Sequence, residues 1–220
     1  GVDEEAVAIR HQPLEECDNP QSKSDSDMMS DSQRRMILMF ADVSDSARLF
    51  ERLGDTEASY AVESCLKRME RALAGYGGRT INVSSDGLLA VFESAEKACH
   101  AAVDMQSRVS KLPPVSGLKL TIRIGLHVGN LNADEETVTG STVEMAGRIA
   151  GKARIDQILA SSLLIDELPR QTLILTRAMP DLGSIEEGGA SFGLAEVDWL
   201  NHEDHQRKYG VTFDATPSQF

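Results

Sequence analysis

Arg34-Arg-Met-Ile-Leu-Met-Phe-Ala-Asp42 is a short apolar run that ends in an acid. Its apolar residues are consecutive rather than alternating, which suits a strand buried on both faces. Further on the chain reads Arg79-Thr-Ile-Asn-Val-Ser-Ser-Asp86-Gly-Leu-Leu-Ala-Val-Phe92, two β-prone runs around Ser-Asp-Gly. That is the pattern of a tight hairpin, with Asp86 at its tip. If the run and the hairpin are neighbours in one sheet, the carboxylates of Asp42 and Asp86 converge. Two half-buried carboxylates do not both stay ionised without a counter-charge, and a hard divalent cation with oxygen ligands is the usual one. Taken singly, a turn aspartate at 86 and a helix cap at 42 explain each acid as well.

Working outward, Ser44-Asp-Ser46 can cap a helix, and Gly54 with Asp55-Thr56 restarts it. Ala58, Ala61, Val62, Cys65, Leu66, Met69, Ala72, Leu73 and Tyr76 then recur at three- and four-residue steps, the stripe of a long amphipathic helix stopped by Gly75-Tyr-Gly-Gly78. Ser94 caps a second long helix, ended by Pro113-Pro114. Leu118 to Gly129 alternates as a strand with one buried face. Ser141-Thr-Val-Glu144 reads as a capping box opening a helix through Met145, Ile149 and Ala153. Short strands are expected at 157–160, 172–176 and 192–197, the last anchored by Trp199. This order predicts an α+β fold, a ferredoxin-like βαββαβ core with an additional C-terminal helix and strands.

The chain has 220 residues, 41% of them apolar and 26% charged, enough for one globular domain with tails. Residues 1–33 carry nine acids against Arg10 and Lys23 and no aromatic residue, so they cannot offset their ordering entropy by burial. We read 1–33 as a disordered acidic linker, 34–200 as the folded domain and 201–220 as a polar tail. The net charge of −13 argues against nucleic-acid binding, which needs a basic face to displace counterions. Apolar stretches such as Met36–Ala41 fall far short of the roughly 20 residues of a membrane span, and the start lacks a secretory signal, so a cytoplasmic location is expected. Cys17, Cys65 and Cys99 lack metal-ligand or disulfide spacing and read as core thiols. His127 reads as a packed strand residue, and His202 and His205 as residues of the polar tail.

Four segments together are more specific than any one: Phe40-Ala-Asp42-Val-Ser-Asp-Ser-Ala-Arg-Leu-Phe; Gly77-Gly-Arg-Thr-Ile-Asn-Val-Ser-Ser-Asp86-Gly; Arg123-Ile-Gly-Leu-His-Val-Gly129; and Val138-Thr-Gly-Ser-Thr-Val-Glu-Met-Ala-Gly-Arg148. In order and spacing they resemble the class III adenylate and guanylate cyclase catalytic domain over about residues 34–198. The resemblance implies a purine nucleotidyl cyclase domain that converts a nucleoside triphosphate, ATP ahead of GTP with base choice left open by Asn82, to its 3′,5′-cyclic monophosphate and pyrophosphate by two-metal phosphoryl transfer in intracellular signalling. It implies a head-to-tail homodimer with each site spanning the interface. Asp42 and Asp86 fall on the two metal-binding aspartates for two divalent cations, Mg2+ or Mn2+, and the carbonyl of Val43 completes one shell. The amides of Ser44, Asp45, Ser46 and Ala47 would cradle the β- and γ-phosphates. Arg148 falls on the transition-state arginine, whose plainer reading is a surface arginine paired with Glu144 one turn earlier. Thr137 falls on a base-reading position.

Four departures are visible. Asn82 stands where adenine-specific members carry a base-reading lysine, and Glu144 stands at the ribose-positioning asparagine. Ser85 and Asp45 replace glycines. A carboxylate at Glu144 repels a triphosphate unless something compensates. The resemblance therefore supports two readings, a working cyclase or a degenerate cyclase-like module for nucleotide binding, dimerisation or regulation. The acidic leader and Tyr209-Gly-Val-Thr-Phe213 leave room for fused sensory or regulatory domains on either side.

Overall fold

The structure, a computed structural model, describes residues 33–132 and 141–202. Its elements are β1 (Gln33–Val43), α1 (Ser46–Leu53), α2 (Asp55–Gly75), β2 (Arg79–Val83), β3 (Gly87–Phe92), α3 (Ala95–Ser110) and β4 (Ile122–Asn132). They continue with α4 (Ser141–Lys152), β5 (Ile158–Ser161), α5 (Ser162–Ile165), β6 (Thr176–Ala178), β7 (Ile185–Glu187), β8 (Ala190–Phe192) and β9 (Leu194–Val197). One seven-stranded sheet has the order β2-β3-β1-β4-β5-β9-β6, and β7 with β8 forms a separate hairpin. The first four strands in space are the βαββαβ core that the element order predicts, so the α+β expectation holds.

β1 is central because it can be buried on both sides: it pairs antiparallel with β3 on one edge and β4 on the other. Ile37, Met39, Ala41 and Val43 pack under α2 and α3, while Leu38 belongs with Leu89, Val91, Leu131 and Ala146 of α4. The period of two that separates these sets puts Asp42 on the α4 side of the sheet. α2 buries Ala58, Ala61, Val62, Cys65, Leu66, Met69, Ala72 and Leu73, the stripe read from sequence. Each large aliphatic member contributes about 1.5–3 kcal/mol of burial. α4 lies close on β4 because Gly125 and Gly129 offer it no side chain: a Cβ at Gly125 would sit 2.4 Å from the Ala146 carbonyl oxygen and the Ala150 nitrogen, and one at Gly129 would sit 2.3 Å from the Thr142 side chain.

Several local expectations change. The strand expected at 172–176 is instead β6 at Thr176–Ala178, all three residues exposed. The run 192–197 is broken at Gly193 into β8 and β9, which belong to different sheets. The alternating segment begins its strand at Ile122 rather than Leu118. Ser94 caps α3 through the Lys97 amide as expected, and Trp199 donates to the Asp156 carbonyl at 2.7 Å, tying down the chain after β9. The α1 start differs: Asp45 precedes it with φ 54°, and no side chain caps it. Ser141 is already helical, so it is not the cap that a capping box requires. His202 is buried and its ring lies 5.4 Å from that of His100, so residue 202 is part of the folded unit rather than a polar tail. Cys65 and Cys99 are core thiols whose pKa burial pushes up to about 12, while Cys17 and His205 lie outside the described residues. No described helix is long and apolar enough to cross a membrane.

His100 and His127 are buried, and desolvation holds both below the ordinary value of 6.5, with Glu96 and Glu187 respectively pulling the other way. A histidine whose folded pKa is depressed leaves the unfolded chain with more bound protons just below its normal pKa. Its contribution to stability is therefore complete above about pH 6.5 and lost as pH falls from there toward the folded value. The midpoint of urea unfolding is expected to drop between pH 7.5 and 5.5, and an unchanged midpoint would contradict this account.

Candidate active site

The end of β1 and the β2–β3 hairpin bring the two acids together. Asp42 sits opposite Gly87 in the β1–β3 register, and the Val43 amide donates to the Asp86 carbonyl at 2.7 Å. Asp86 is thus next to Asp42 across the strand pair. Its Oδ2 accepts from the Ser46 hydroxyl at 2.7 Å, which ties the first turn of α1 to the hairpin tip.

The counter-charge that the pair requires is present as a side chain. Arg123, opposite Asp42 on β4, donates from Nε to Oδ1 at 2.8 Å and from Nη2 to Oδ2 at 2.9 Å. This is the bidentate fork that suits guanidinium and carboxylate. The hydrogen bond to Asp42 and the fields of Asp42, Asp45 and Asp86 push the Arg123 pKa up against some desolvation, so three carboxylates surround one guanidinium. Sequence reading assigned Arg123 no role, although it stands in the third motif segment; the counter-charge expected beside Asp42 was a divalent cation, and only the β1–β4 register shows that Arg123 supplies positive charge there.

The set of free amides expected to cradle phosphates is smaller than the sequence suggests. The Ser44 amide donates to the Thr121 carbonyl at 2.8 Å and is not free for an anion. The first backbone bond into α1 runs from Leu49 to Asp45, so the amides at the helix start, Ser46 and Ala47 among them, have no partner within the helix. Asp45 adopts the left-handed conformation that glycine takes most easily; aspartate tolerates it better than most residues. Ser85 has no such strain, since the described non-glycine residues with positive φ are Asp45, Ser116 and Asp156.

On the other side of the hairpin, a groove of about 280 Å³ is lined by Phe40, Asn82, Ser84, Leu88, Leu89, Val143, Glu144 and Gly147. Asn82 and Glu144, from β2 and α4, therefore share one groove. Arg148 follows one turn along α4, exposed, with Nη1 3.5 Å from the Glu186 carbonyl oxygen; it makes no ion pair with Glu144, contrary to the plainer reading of that residue. Thr137 lies outside the described residues.

Among the described residues no group of three or more His, Cys, Asp or Glu could hold a metal alone. The donor set still fits divalent cations of the magnesium type. An ionised carboxylate offers about four acceptor positions, of which Arg123 takes two on Asp42 and Ser46 takes one on Asp86. Mg2+ is characteristically held by one or two carboxylates, with phosphate and water completing the shell.

No protein-family model matches the chain. An uncharacterised protein of Mycobacterium tuberculosis is 26% identical over 180 residues, covering 79% of this chain and 58% of that relative. The chain thus spans less than two thirds of that relative's length. A Streptomyces coelicolor adenylate cyclase is 26% identical over 140 residues, 62% of this chain and 35% of that protein. Among solved structures, the guanylate cyclase domain of RhGC from Catenaria anguillulae in complex with GTP superposes with a TM-score of 0.63 at 17% identity, covering 76% of this chain and 97% of that one. The fold is that of the class III nucleotidyl cyclase catalytic domain. The sequence relatives agree with it at low identity.

Proposed function

We propose that residues 34–200 form a purine nucleotidyl cyclase domain that converts a nucleoside triphosphate, ATP in preference to GTP, to its 3′,5′-cyclic monophosphate for intracellular signalling. The observation that carries this reading is the adjacency of Asp42 and Asp86 beside the open amides of α1. In the reaction the ribose 3′-oxygen attacks the α-phosphorus, the new P–O bond forms as the bond to the β-phosphate oxygen breaks, the hydroxyl proton is released and pyrophosphate leaves. Two divalent cations, Mg2+ or Mn2+, held by Asp42, Asp86 and the Val43 carbonyl, would supply charge neutralisation on the triphosphate. The amides of Ser46 and Ala47 bind the β- and γ-phosphates, with Arg123 positioned beside them. Phe40, Leu88 and Leu89 give the groove apolar walls for a purine, and the Asn82 amide offers a donor and an acceptor to its edge.

Arg148 makes no bond to Asp42 or Asp86 and projects from an exposed position on α4. A head-to-tail dimer resolves this separation, with the acids of one protomer facing the arginine of its partner. Glu144 on the groove wall favours the second reading, a cyclase-like module that binds nucleotide without turnover.

The purified chain assayed with ATP and GTP, in Mg2+ and in Mn2+, decides between them: cyclic nucleotide above the Asp42→Ala background supports the enzyme, and calorimetric binding without product supports the module. Combining Glu144→Asn with Asn82→Lys is expected to raise kcat with ATP by about tenfold or more, because a positioned donor replaces a repelling carboxylate. An unchanged rate would remove this account of the departures.

A further inference from the structure

His127 is buried in the middle of β4, between the two glycines that seat α4. Its Nε2 lies 2.8 Å from Oε2 of Glu187, on the β7–β8 hairpin, and its ring stacks on Phe192 of the same hairpin at 5.1 Å. A carboxylate only accepts, so Nε2 carries the proton and the neutral ring leaves Nδ1 a bare acceptor, buried without a partner. The charged groups that face the ring are Glu187 and, from β1, Arg35, itself paired with Glu167. As a stability device this arrangement is poor. A leucine would cover Phe192 without stranding Nδ1, and an orphaned buried acceptor is costly. What the polar pair supplies is direction: one carboxylate of the hairpin is pinned to one point on β4.

The residue before Glu187 has the other end of the connection. Glu186 offers its carbonyl to Nη1 of Arg148, and one turn further along α4 Lys152 reaches the Leu182 carbonyl at 3.4 Å. Met145 and Ile149 of α4 share an apolar cluster with Ile185 and Phe192 of the hairpin. The contacts close a circuit from β4 through His127 and Glu187 to the hairpin, from Glu186 to Arg148, and back along α4 to Gly125 and Gly129. We propose that His127 and Glu187 are positioning residues that set Arg148 through the β7–β8 hairpin. This rests on the cyclase reading of Arg148.

The test measures kcat and KM for the full chain and for Glu187→Ala, Glu187→Gln, Arg148→Ala and the Glu187→Ala/Arg148→Ala double variant. Glu187→Ala is expected to lower kcat about ten- to a hundredfold with KM within about twofold, as a small misplacement of a transition-state group does. Glu187→Gln, which still accepts from Nε2, should restore most of it, and Glu187→Ala should cost nothing further once Arg148 is gone. An equal loss in both backgrounds, or an unchanged kcat, overturns the proposal. If the parent chain makes no cyclic nucleotide, the cyclase reading alone fails, and amide hydrogen exchange of residues 141–152 decides the coupling. Faster exchange in Glu187→Ala that Glu187→Gln reverses supports it; unchanged exchange overturns it.

Discussion

Asp42→Asn is expected to reduce cyclic-nucleotide formation by about a thousandfold or more while leaving the chain folded, since it removes one of two hard-oxygen donors and half of the acceptor capacity facing Arg123. The amide keeps the shape of the carboxylate and one oxygen for the guanidinium; its NH2 faces the other guanidinium N–H, so half of the fork is lost while the backbone pairing of β1 with β4 is untouched. Asp42→Ala goes further and leaves Arg123 without its fork. With side-chain exposures of 16% for Asp42 and 36% for Arg123, the pair lies between the buried and exposed limits. Its loss should cost about 1–2 kcal/mol, because the freed guanidinium can reach water. Thermal unfolding of both variants separates the two effects: a large activity loss with a small shift in midpoint identifies a site residue. An Asp42→Asn variant that turns over at the parent rate would remove the acid pair from the chemistry.

Arg123 also changes how the site is charged before substrate arrives. The pair of acids does not wait as two bare anions; Asp42 is held by a fork, and Asp45 and Asp86 add to the field on the same guanidinium. On the proposed cyclase reading, a triphosphate would meet a preorganised donor set and a guanidinium beside it. On that reading the fork would compete with a metal for the Asp42 carboxylate.

The parts of this arrangement that sequence discloses are those with a one-dimensional pattern. An uninterrupted apolar run gave β1, a nine-residue stripe gave α2, and Ser-Asp-Gly between two β-prone runs gave the hairpin that carries Asp86. Arg123 was hidden because its partner lies on a neighbouring strand, a relation fixed by register and not by spacing. The Ser44 amide was assigned to the phosphate cradle because nothing in the local sequence shows that Thr121 takes it. β6 escaped because it lies at the sheet edge with all three residues exposed and so has no alternation to read. Gly193 divided what looked like one strand, since the residues on its two sides pair in different sheets. His202 looked polar and terminal, and its burial against His100 depends on tertiary packing.

Gly125→Ala is expected to be the most damaging single methyl in the described fold. The added carbon would meet two backbone atoms of α4 at 2.4 Å, the Ala146 carbonyl oxygen and the Ala150 nitrogen, and backbone cannot rotate out of the way as a side chain can. Either α4 lifts from β4 or the strand bends, and overpacking of this kind costs about 1–3 kcal/mol or more. For a domain of this size each kcal/mol lowers Tm by roughly 2–4 °C, so a drop of about 2–12 °C is expected. Because α4 carries Glu144 and Arg148, the same displacement should lower kcat beyond what the loss of folded protein explains. Gly151→Ala supplies the contrast on the same helix: nothing lies within 4 Å of the new carbon, and the exchange of glycine for alanine inside a helix should stabilise by about 0.5–1 kcal/mol. Opposite signs at the two positions support direct seating of α4 on the glycine face of β4, whereas destabilisation of similar size at both would show that the helix is sensitive to any substitution and that Gly125 holds no special place.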